Sequence, residues 1–221
     1  GLIGGGNSPR PGEVSLAHHG TLFLDEIPEY DRRVLEMLRQ PLEEKKVRVV
    51  RSRMSATFPC NIMLVAAMNP CPCGYFGDER HECHCSVPQI NRYRNKVSGP
   101  LLDRIDIHIE VPGLSVKEIT RTGAGENSDN IRKRVVQAYK IQGDRYRGEN
   151  FNHNSRLQGK YIKKYCKLDG AGQNLLEEAV AEFGFSARAY DRILKMARTI
   201  ADLEGEEKIT EEFETIFKED H

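Results

Sequence analysis

Two adjacent carboxylates, Asp25 and Glu26, end an apolar run at 21–24. Because this run is aliphatic, aromatic or β-branched and lies between Gly20 and Pro28, it predicts a central strand covered on both faces. The carboxyl ends of strands are where open α/β sheets bind ligands. An Asp there holds Mg²⁺ on a nucleotide, and the next residue orients a water against the γ-phosphate. A buried strand followed by a solvated acidic turn fits these residues equally well.

A second apolar run, Ile62–Met68, ends in Asn69 and Pro70. An amide at the end of a buried strand is placed to hydrogen-bond an attacking water or a γ-phosphate, although Asn-Pro more commonly caps a turn. The segment Gly99–Arg104 predicts a short helical turn that holds Arg104 on a rigid mount. Asn69 and Arg104 are therefore further candidates for contact with a phosphate.

Four of the six cysteines form two Cys-x-Cys pairs separated by nine residues, which include Gly74 and Gly77. Four thiolates on a short, turn-rich loop predict a structural Zn²⁺ site with Cys₄ ligation. Four reduced thiols, an Fe-S centre, or a histidine (His81 or His84) in place of one sulfur remain open. We favour zinc because loops rich in glycine and charge rarely bury cysteines for packing. The predicted ligands are Cys71, Cys73, Cys83 and Cys85.

Basic residues and valines alternate over Lys45–Ser55, which predicts a β-hairpin with a basic edge or tip. Such charges usually solvate an edge strand and prevent aggregation. Their density here also permits contacts with phosphates. A second basic cluster follows the cysteines and comprises Arg92, Arg94 and Lys96, with Tyr93.

The remaining pattern predicts an α/β fold class in the first half and a small helical bundle in the second. Asp31 is expected to cap a helix that runs to about Glu44. Alternation over Ile105–Val111 predicts a half-buried strand. From residue 114 onward the periodicity is helical, with a linker at 121–130 and helices predicted over 131–146, 173–183, 187–203 and 210–218.

Composition bounds the class of protein. The 221 residues carry 33 basic and 33 acidic side chains, so affinity for nucleic acid would have to come from a local patch. Since the chain has no apolar run of about 18 residues and no signal peptide, we expect a soluble, cytoplasmic protein with no membrane partner. The first residue is Gly1 within a glycine-rich opening. We therefore expect the chain to be part of a longer protein.

Four motifs occur in a characteristic order: Leu-Phe-Leu-Asp25-Glu26, Ala-Met-Asn69-Pro, Leu-Leu-Asp-Arg104-Ile-Asp and Ser-Ala-Arg188-Ala-Tyr-Asp-Arg. Together with Asn-Pro-Cys-Pro-Cys-Gly, they make the chain resemble AAA+ ATPases of the magnesium-chelatase clade, in particular the bacterial competence family ComM/YifB. The resemblance covers essentially the whole chain. It implies an incomplete P-loop AAA+ core over residues 1–113, followed by an α-helical lid domain over 114–221.

The resemblance also implies roles for individual residues. Asp25 matches the Walker B ligand of Mg²⁺, and Glu26 matches the catalytic base. Asn69 matches sensor 1, which reads the γ-phosphate. Arg104 matches an arginine finger that reaches the nucleotide of a neighbouring subunit, and Arg188 matches sensor 2 on the lid. For each arginine, a surface ion pair is the ordinary alternative.

One departure from the family concerns the phosphate-binding loop. No Gly-x-x-x-x-Gly-Lys-Ser/Thr motif occurs in these 221 residues, and the glycine-rich segment 1–6 contains no lysine. Family members carry that loop upstream, so we expect this chain by itself not to hydrolyse ATP.

For the longer protein, the resemblance implies a hexameric ring, dependent on ATP and Mg²⁺, that remodels DNA by helicase action or branch migration. The alternatives are a magnesium-chelatase motor subunit and a zinc-stabilised module that binds nucleic acid or protein. The expected DNA contacts are Arg10, Lys45, Lys46, Arg48, Arg51 and Arg53.

Overall fold

The computed structural model of the protein describes residues 1–6, 8–50, 54–78, 80–111, 113 and 125–210. The chain divides into two compact units, one ending at residue 119 and one beginning at residue 120. Residues 114–119 lie outside the described part, so the predicted boundary after residue 113 stays a prediction. No helix in the described part combines the length and the hydrophobicity that crossing a bilayer requires.

The strands of the first unit form three small pairs. Strands β3 (Thr21–Leu24) and β6 (Met63–Ala66) pair in parallel, with Thr21 opposite Met63 and Leu24 opposite Ala66. The pairs β1–β2 and β4–β5 are antiparallel. The predicted strands at 21–24 and within 62–68 and the predicted basic hairpin are therefore present, and the fold class is α/β with a small parallel sheet. The strands are β1 (Gly4–Gly5), β2 (Arg10–Pro11), β3 (Thr21–Leu24), β4 (Lys46–Val50), β5 (Ser55–Pro59) and β6 (Met63–Ala66).

Only one face of the parallel pair is covered among the described residues. Leu22 and Leu24 are buried and pack in a cluster with Leu35 and other apolar side chains. Side chains of a strand alternate between its two faces, and on the other face Phe23 is 58% exposed and Met63 61% exposed. The prediction of a strand covered on both faces is thus wrong for this part of the chain, because the buried cluster lies on one side.

Short helices surround the covered face of the first unit. The predicted cap is present, since the Asp31 carboxylate accepts a hydrogen bond from the Arg33 N–H at 2.8 Å. The single helix predicted to follow it is divided in two, because Pro41 near the start of the second has no N–H to continue the helical ladder. The helices are α1 (Glu13–Leu16), α2 (Arg32–Glu36), α3 (Arg39–Glu44), α4 (Val87–Arg94) and α5 (Gly99–Leu102), with a 3₁₀ turn at Ile27–Glu29.

The strand predicted over Ile105–Val111 is not formed. The described residues of this segment have no regular structure, and Ile107, Ile109 and Val111 are exposed. Alternating side chains alone do not make a strand, because its backbone N–H and C=O groups need a partner strand. None of the described strands supplies one here.

The second unit is helical, as its pattern predicts. Its core contains Tyr146, Leu157, Leu176 and Ala197. Three of the predicted helices are present to within a few residues, whereas the short helix over Lys160–Tyr165 was not predicted. Residues 211–218 of the last predicted helix lie outside the described residues. The helices are α6 (Ser128–Arg145), α7 (Lys160–Tyr165), α8 (Gly170–Phe183) and α9 (Ala187–Glu204), with a 3₁₀ turn at Asn154–Arg156.

Buried polar groups also join the elements of the second unit. The Asp202 side chain is fully buried and accepts hydrogen bonds from both terminal nitrogens of Arg145, from Arg198 Nε at 3.1 Å and from Asn154 Nδ2 at 2.8 Å. Asn154 in turn accepts a hydrogen bond from the Tyr146 hydroxyl at 2.5 Å. One carboxylate thus connects α6, the 3₁₀ turn and α9.

Candidate functional site

The carboxyl ends of β3 and β6 bring three predicted site residues to one edge of the sheet. Asp25 and Glu26 follow β3 directly, and Asn69 follows β6 by three residues. The two chains continue side by side beyond the strands, since the Ala67 N–H donates to the Leu24 carbonyl at 2.9 Å and the Ile27 N–H donates to the Ala67 carbonyl at 3.0 Å. All three polar residues are exposed. This edge is therefore open to a ligand.

Glu26 has an unusual backbone conformation. Its φ of 48° and ψ of 47° are left-handed, and the Asp25 carboxylate accepts a hydrogen bond from the Glu26 N–H at 2.9 Å. A left-handed conformation is disfavoured for a residue with a Cβ, by about 1–3 kcal/mol. The turn lets Ile27 and Pro28 enter the core directly after the two carboxylates. Such strain is characteristic of functional sites, where surrounding packing holds the backbone in place.

The end of α4 holds the turn that carries Asn69. Burial raises the pKa of the Tyr93 phenol, a hydrogen bond from the Asn69 backbone opposes that shift, and the charges of Glu29 and Glu26 add to it. Arg94 Nε donates to the Pro70 carbonyl at 3.0 Å. These contacts engage part of the predicted second basic cluster, since Tyr93 is buried and Lys96 pairs with Glu29 at 3.4 Å, whereas Arg92 and Arg94 are exposed.

The four loop cysteines converge. The Sγ atom of Cys71 lies 3.3 Å from that of Cys73 and 3.7 Å from that of Cys83, and Cys73 and Cys83 are 3.6 Å apart. With Cys85 included, all four sulfurs lie within 4.8 Å of one another. Tetrahedral Zn–S bonds of about 2.3 Å place sulfurs about 3.8 Å apart, whereas a disulfide needs about 2.05 Å. The donor set and its spacing therefore fit one tetrahedral metal ion.

The protonation of these thiols also favours a cation. A hydrogen bond from the Tyr75 backbone and then the Cys71 thiol lower the pKa of Cys73 to about 6. A hydrogen bond from the Cys85 backbone lowers the pKa of Cys83, but burial and the neighbouring Cys73 and Cys71 outweigh it and raise that pKa to about 12. One thiolate thus disfavours others beside it. A metal ion supplies the positive charge that four thiolates require.

One histidine of the loop, His81, makes contacts outside the cysteine cluster. His81 lies 3.5 Å from the Asp78 carboxylate, and its ring is 4.8 Å from that of Tyr75. Among the described residues the metal-ligating group consists of the four cysteines alone. The other two cysteines, Cys60 and Cys166, are buried and free.

Arg104 follows α5 and is directed into its own unit. Its Nη2 lies 2.6 Å from the Glu43 carboxylate, and its Nη1 donates to the Pro100 carbonyl. The side chain is 15% exposed. Its Nε is buried and has no hydrogen-bond partner among the described residues. The predicted rigid mount is present, but the guanidinium is engaged by Glu43.

The basic hairpin presents two cations on one face. Val47 and Val49 are buried, whereas Lys46 and Arg48, which alternate with them along β4, are exposed. Lys45 is half-buried at the left-handed end of α3, and Arg10 is exposed in β2. Arg51 and Arg53 lie outside the described residues. A polar groove on the exposed face is lined by Gln40, Glu44, Lys46, Arg48, Ser55 and Thr57.

Arg188 belongs to the second unit. It is exposed in the first turn of α9, and the Ser186 hydroxyl caps that helix by accepting a hydrogen bond from the Ala189 N–H at 3.2 Å. The predicted position of Arg188 early in a capped helix is therefore present.

Two family profiles match the chain in succession. Residues 1–119 match the profile described as magnesium chelatase, subunit ChlI, and residues 125–213 match the one described as magnesium chelatase, subunit ChlI C-terminal. Competence protein ComM of Haemophilus influenzae is 46% identical over 209 residues, which are 94% of this chain and 40% of that protein. The chain belongs to the magnesium-chelatase-like ComM/YifB family.

Further ComM/YifB relatives support the assignment. The uncharacterized proteins YifB of Salmonella typhimurium and Escherichia coli are 42% and 40% identical over 213 residues, or 95% of this chain. The chain spans about 40% of the length of these curated relatives. The family resemblance stated from the motifs is confirmed, whereas the roles of the individual residues stay predictions.

Sequence reasoning missed the residues that hold the candidate site in place. Tyr93 and Arg94 were assigned to a basic surface, although an aromatic residue at helical spacing from the buried Ile90 was a signal that Tyr93 faces inward. Glu43 carried no comparable signal, because its partner Arg104 is distant in the chain.

Proposed function

We propose that this ComM/YifB chain contributes the hydrolytic edge of an AAA+ ATPase that assembles into a ring, which we expect to be hexameric. The observation that carries the proposal is the parallel β3–β6 pair, which brings Asp25, Glu26 and Asn69 to one open edge. They supply an acidic ligand for Mg²⁺, a base and an amide, which are the groups that hydrolysis of the γ-phosphate needs at one site.

The chemistry follows from what each side chain supplies. One oxygen of Asp25 accepts the Glu26 N–H, which fixes the carboxylate and leaves its second oxygen for Mg²⁺. The ion, when bound, neutralises charge on the β- and γ-phosphates of ATP. Glu26 accepts a proton from the attacking water, and the Asn69 amide orients that water or the γ-phosphate. Arg104 and Arg188 neutralise transition-state charge, Arg104 from the neighbouring subunit.

Subunit mixing in the longer protein tests this division of labour. Glu26→Gln and Arg104→Ala are each expected to lower turnover about 10³-fold while nucleotide binding persists. Mixed rings should recover activity, because a subunit with intact Glu26 then meets a neighbour with intact Arg104. If Arg104→Ala alone leaves turnover unchanged, Arg104 does not act across the interface.

Nucleic acid is the substrate that the basic hairpin favours. Lys46 and Arg48 with Ser55 and Thr57 offer two cations and two hydroxyls on one exposed surface, and a relative is named as a competence protein. We expect the double variant Lys46→Ala, Arg48→Ala to weaken DNA binding. The slope of the logarithm of the binding constant against the logarithm of the salt concentration should become shallower by about two. Thr57→Ala removes a hydroxyl of the same surface but no charge, so it should leave the salt dependence unchanged.

A chelatase motor is the second candidate, because both matched profiles carry that description. The two candidates differ in what activates them. A DNA-remodelling enzyme hydrolyses ATP faster when single-stranded or branched DNA is present, whereas a chelatase motor responds to its client protein. ATPase measurements with and without DNA separate them.

The cysteine loop is proposed to bind one structural Zn²⁺. The four convergent sulfurs support this, and a cytoplasmic location, in which thiols stay reduced, agrees with six free cysteines. Mass spectrometry should find about one zinc per chain, lost in the Cys71→Ser, Cys73→Ser variant and kept in Cys60→Ala. If protein purified without chelators contains no metal, the zinc assignment is refuted and the four cysteines are a cluster of thiols. The alternative of a zinc-stabilised binding module is then refuted as well.

A further inference from the structure

The contact between Arg104 and Glu43 has a consequence for the proposed function, on which this inference rests. An arginine that acts on a neighbouring subunit has to extend away from its own unit. Here the Arg104 side chain is 15% exposed, its guanidinium pairs with Glu43 at 2.6 Å and donates to the Pro100 carbonyl, and its buried Nε lacks a partner among the described residues. The described arrangement is therefore a retracted one, and it leaves one polar group unsatisfied.

Glu43 lies on a helix that is fastened to the basic hairpin. It is near the end of α3, two residues before Lys45, which begins the turn into β4. The Cys60 N–H donates to the Lys45 carbonyl at 3.0 Å, and the Cys60 thiol lies 3.6 Å from the Pro41 carbonyl. Both strands of the hairpin base are thus tied to α3. A displacement of the hairpin must be transmitted to Glu43.

We infer that Glu43 is a positioning residue that retains Arg104 within its own subunit until nucleic acid on the hairpin displaces α3. The released guanidinium then reaches the nucleotide of the adjacent subunit. A nucleic acid shifts this equilibrium only by its differential affinity for the two arrangements. The exposed cations Lys46 and Arg48, on the element fastened to α3, supply that difference.

The physical basis is the asymmetry of a partly buried ion pair. With Glu43 present, extending Arg104 breaks a charge-assisted hydrogen bond. With glutamine in its place, the retracted guanidinium is left without a compensating charge, which favours extension. Removal of the carboxylate should therefore raise the rate without nucleic acid and leave the rate with saturating nucleic acid nearly unchanged.

The test compares Glu43→Gln with Glu13→Gln in the longer protein. Glu13 is an exposed carboxylate in the first turn of α1, its replacement makes the same charge change, and it lies outside the polar groove of the hairpin. We expect Glu43→Gln to raise the basal kcat about fivefold or more, to lower the stimulation by single-stranded DNA by the same factor and to leave KM for ATP unchanged. Glu13→Gln should keep the parental ratio of the stimulated rate to the basal rate.

Two outcomes distinguish failure of this inference from failure of the proposed function. If Arg104→Ala leaves turnover intact, the proposed role of Arg104 is wrong. If Arg104→Ala abolishes turnover but Glu43→Gln keeps the parental basal rate, or lowers both rates together with the melting temperature, the pair is only structural and the inference is overturned. The double variant should lose the gain of Glu43→Gln, since the gain acts through Arg104.

Discussion

The N-terminal unit packs its buried apolar side chains against one face of a parallel strand pair, whereas the C-terminal unit surrounds its core with helices. The first leaves Phe23 and Met63 on an exposed apolar face. The second buries even charged groups, with Asp202 paired to Arg145 and Arg198. Contiguous exposed apolar surface is common at sites of interaction with a partner.

The two units also differ in where the candidate site residues lie. All of them except Arg188 belong to the N-terminal unit, and Asp25, Glu26 and Asn69 among them are exposed beyond the strand ends. The C-terminal unit is held by a buried carboxylate that joins distant elements. The candidate site residues of this ComM/YifB chain are thus concentrated in the unit whose packing is one-sided, which agrees with the lower local stability that is general around binding sites.

The largest effect is expected from Asp202→Ala. The change leaves two partly or fully buried guanidinium groups without their shared partner, which we expect to lower the free energy of unfolding by about 3–5 kcal/mol. Urea unfolding followed by circular dichroism measures it. The control is Asp144→Ala, whose exposed pair with Arg147 contributes about 0–1 kcal/mol. If the two changes lower the free energy of unfolding equally, the buried network contributes no more to stability than the surface pair and the prediction is wrong.

Thiol reactivity provides the next largest contrast. In metal-free protein at pH 7, Cys73 with a pKa of about 6 is mostly thiolate, whereas burial raises the pKa of Cys166 to about 11 and keeps it protonated. Allowing for the lower nucleophilicity of the more acidic thiol, we expect alkylation of Cys73 to be roughly 100-fold faster or more. A timed iodoacetamide pulse read by mass spectrometry checks this. Similar rates would show that the helical core opens readily.

Helix caps allow a matched test of about 1 kcal/mol in each unit. Asp31 caps α2, and Asp169 caps α8 by accepting the Gly172 N–H at 2.8 Å. Each change to alanine should destabilise by about 1 kcal/mol. Hydrogen exchange should show that each variant loosens its own unit alone. If either variant loosens both units equally, the two unfold as one cooperative body.

The smallest change in stability is expected from Phe23→Ser. Because Phe23 is on the exposed face, its replacement should alter the free energy of unfolding by no more than about 0.5 kcal/mol. It should nevertheless reduce self-association measured by light scattering, since it interrupts the apolar surface. Leu24→Ser on the buried face is the control and should destabilise markedly. Loss of stability in Phe23→Ser would mean that this face is covered in solution.

Local signals accounted for much of the fold and part of the candidate site. The alternation of valine and cations predicted the hairpin, and the polar residues that end two apolar runs predicted the shared edge of Asp25 and Asn69. Three of the four described helices of the second unit followed from periodicity within single segments. The Cys-x-Cys pairs predicted the cluster for the same reason, because all four sulfurs come from one loop.

Non-local contacts account for what could not be predicted. The pattern of Ile105–Val111 was that of a strand, but whether it forms depends on a partner elsewhere in the chain. The Glu43–Arg104 pair and the partners of Asp202 join residues that are far apart in sequence. No local spacing encodes such pairs, since they arise only once the elements have packed.

The left-handed backbone of Glu26 sets stability and activity against each other at one position. Glycine adopts this conformation without the strain that a Cβ imposes. A drift to glycine at residue 26 would therefore make the fold more stable while removing the carboxylate. Selection for stability alone would thus favour glycine and remove the side chain that is proposed to activate water. A glutamate retained at this position would indicate selection for activity at the expense of stability.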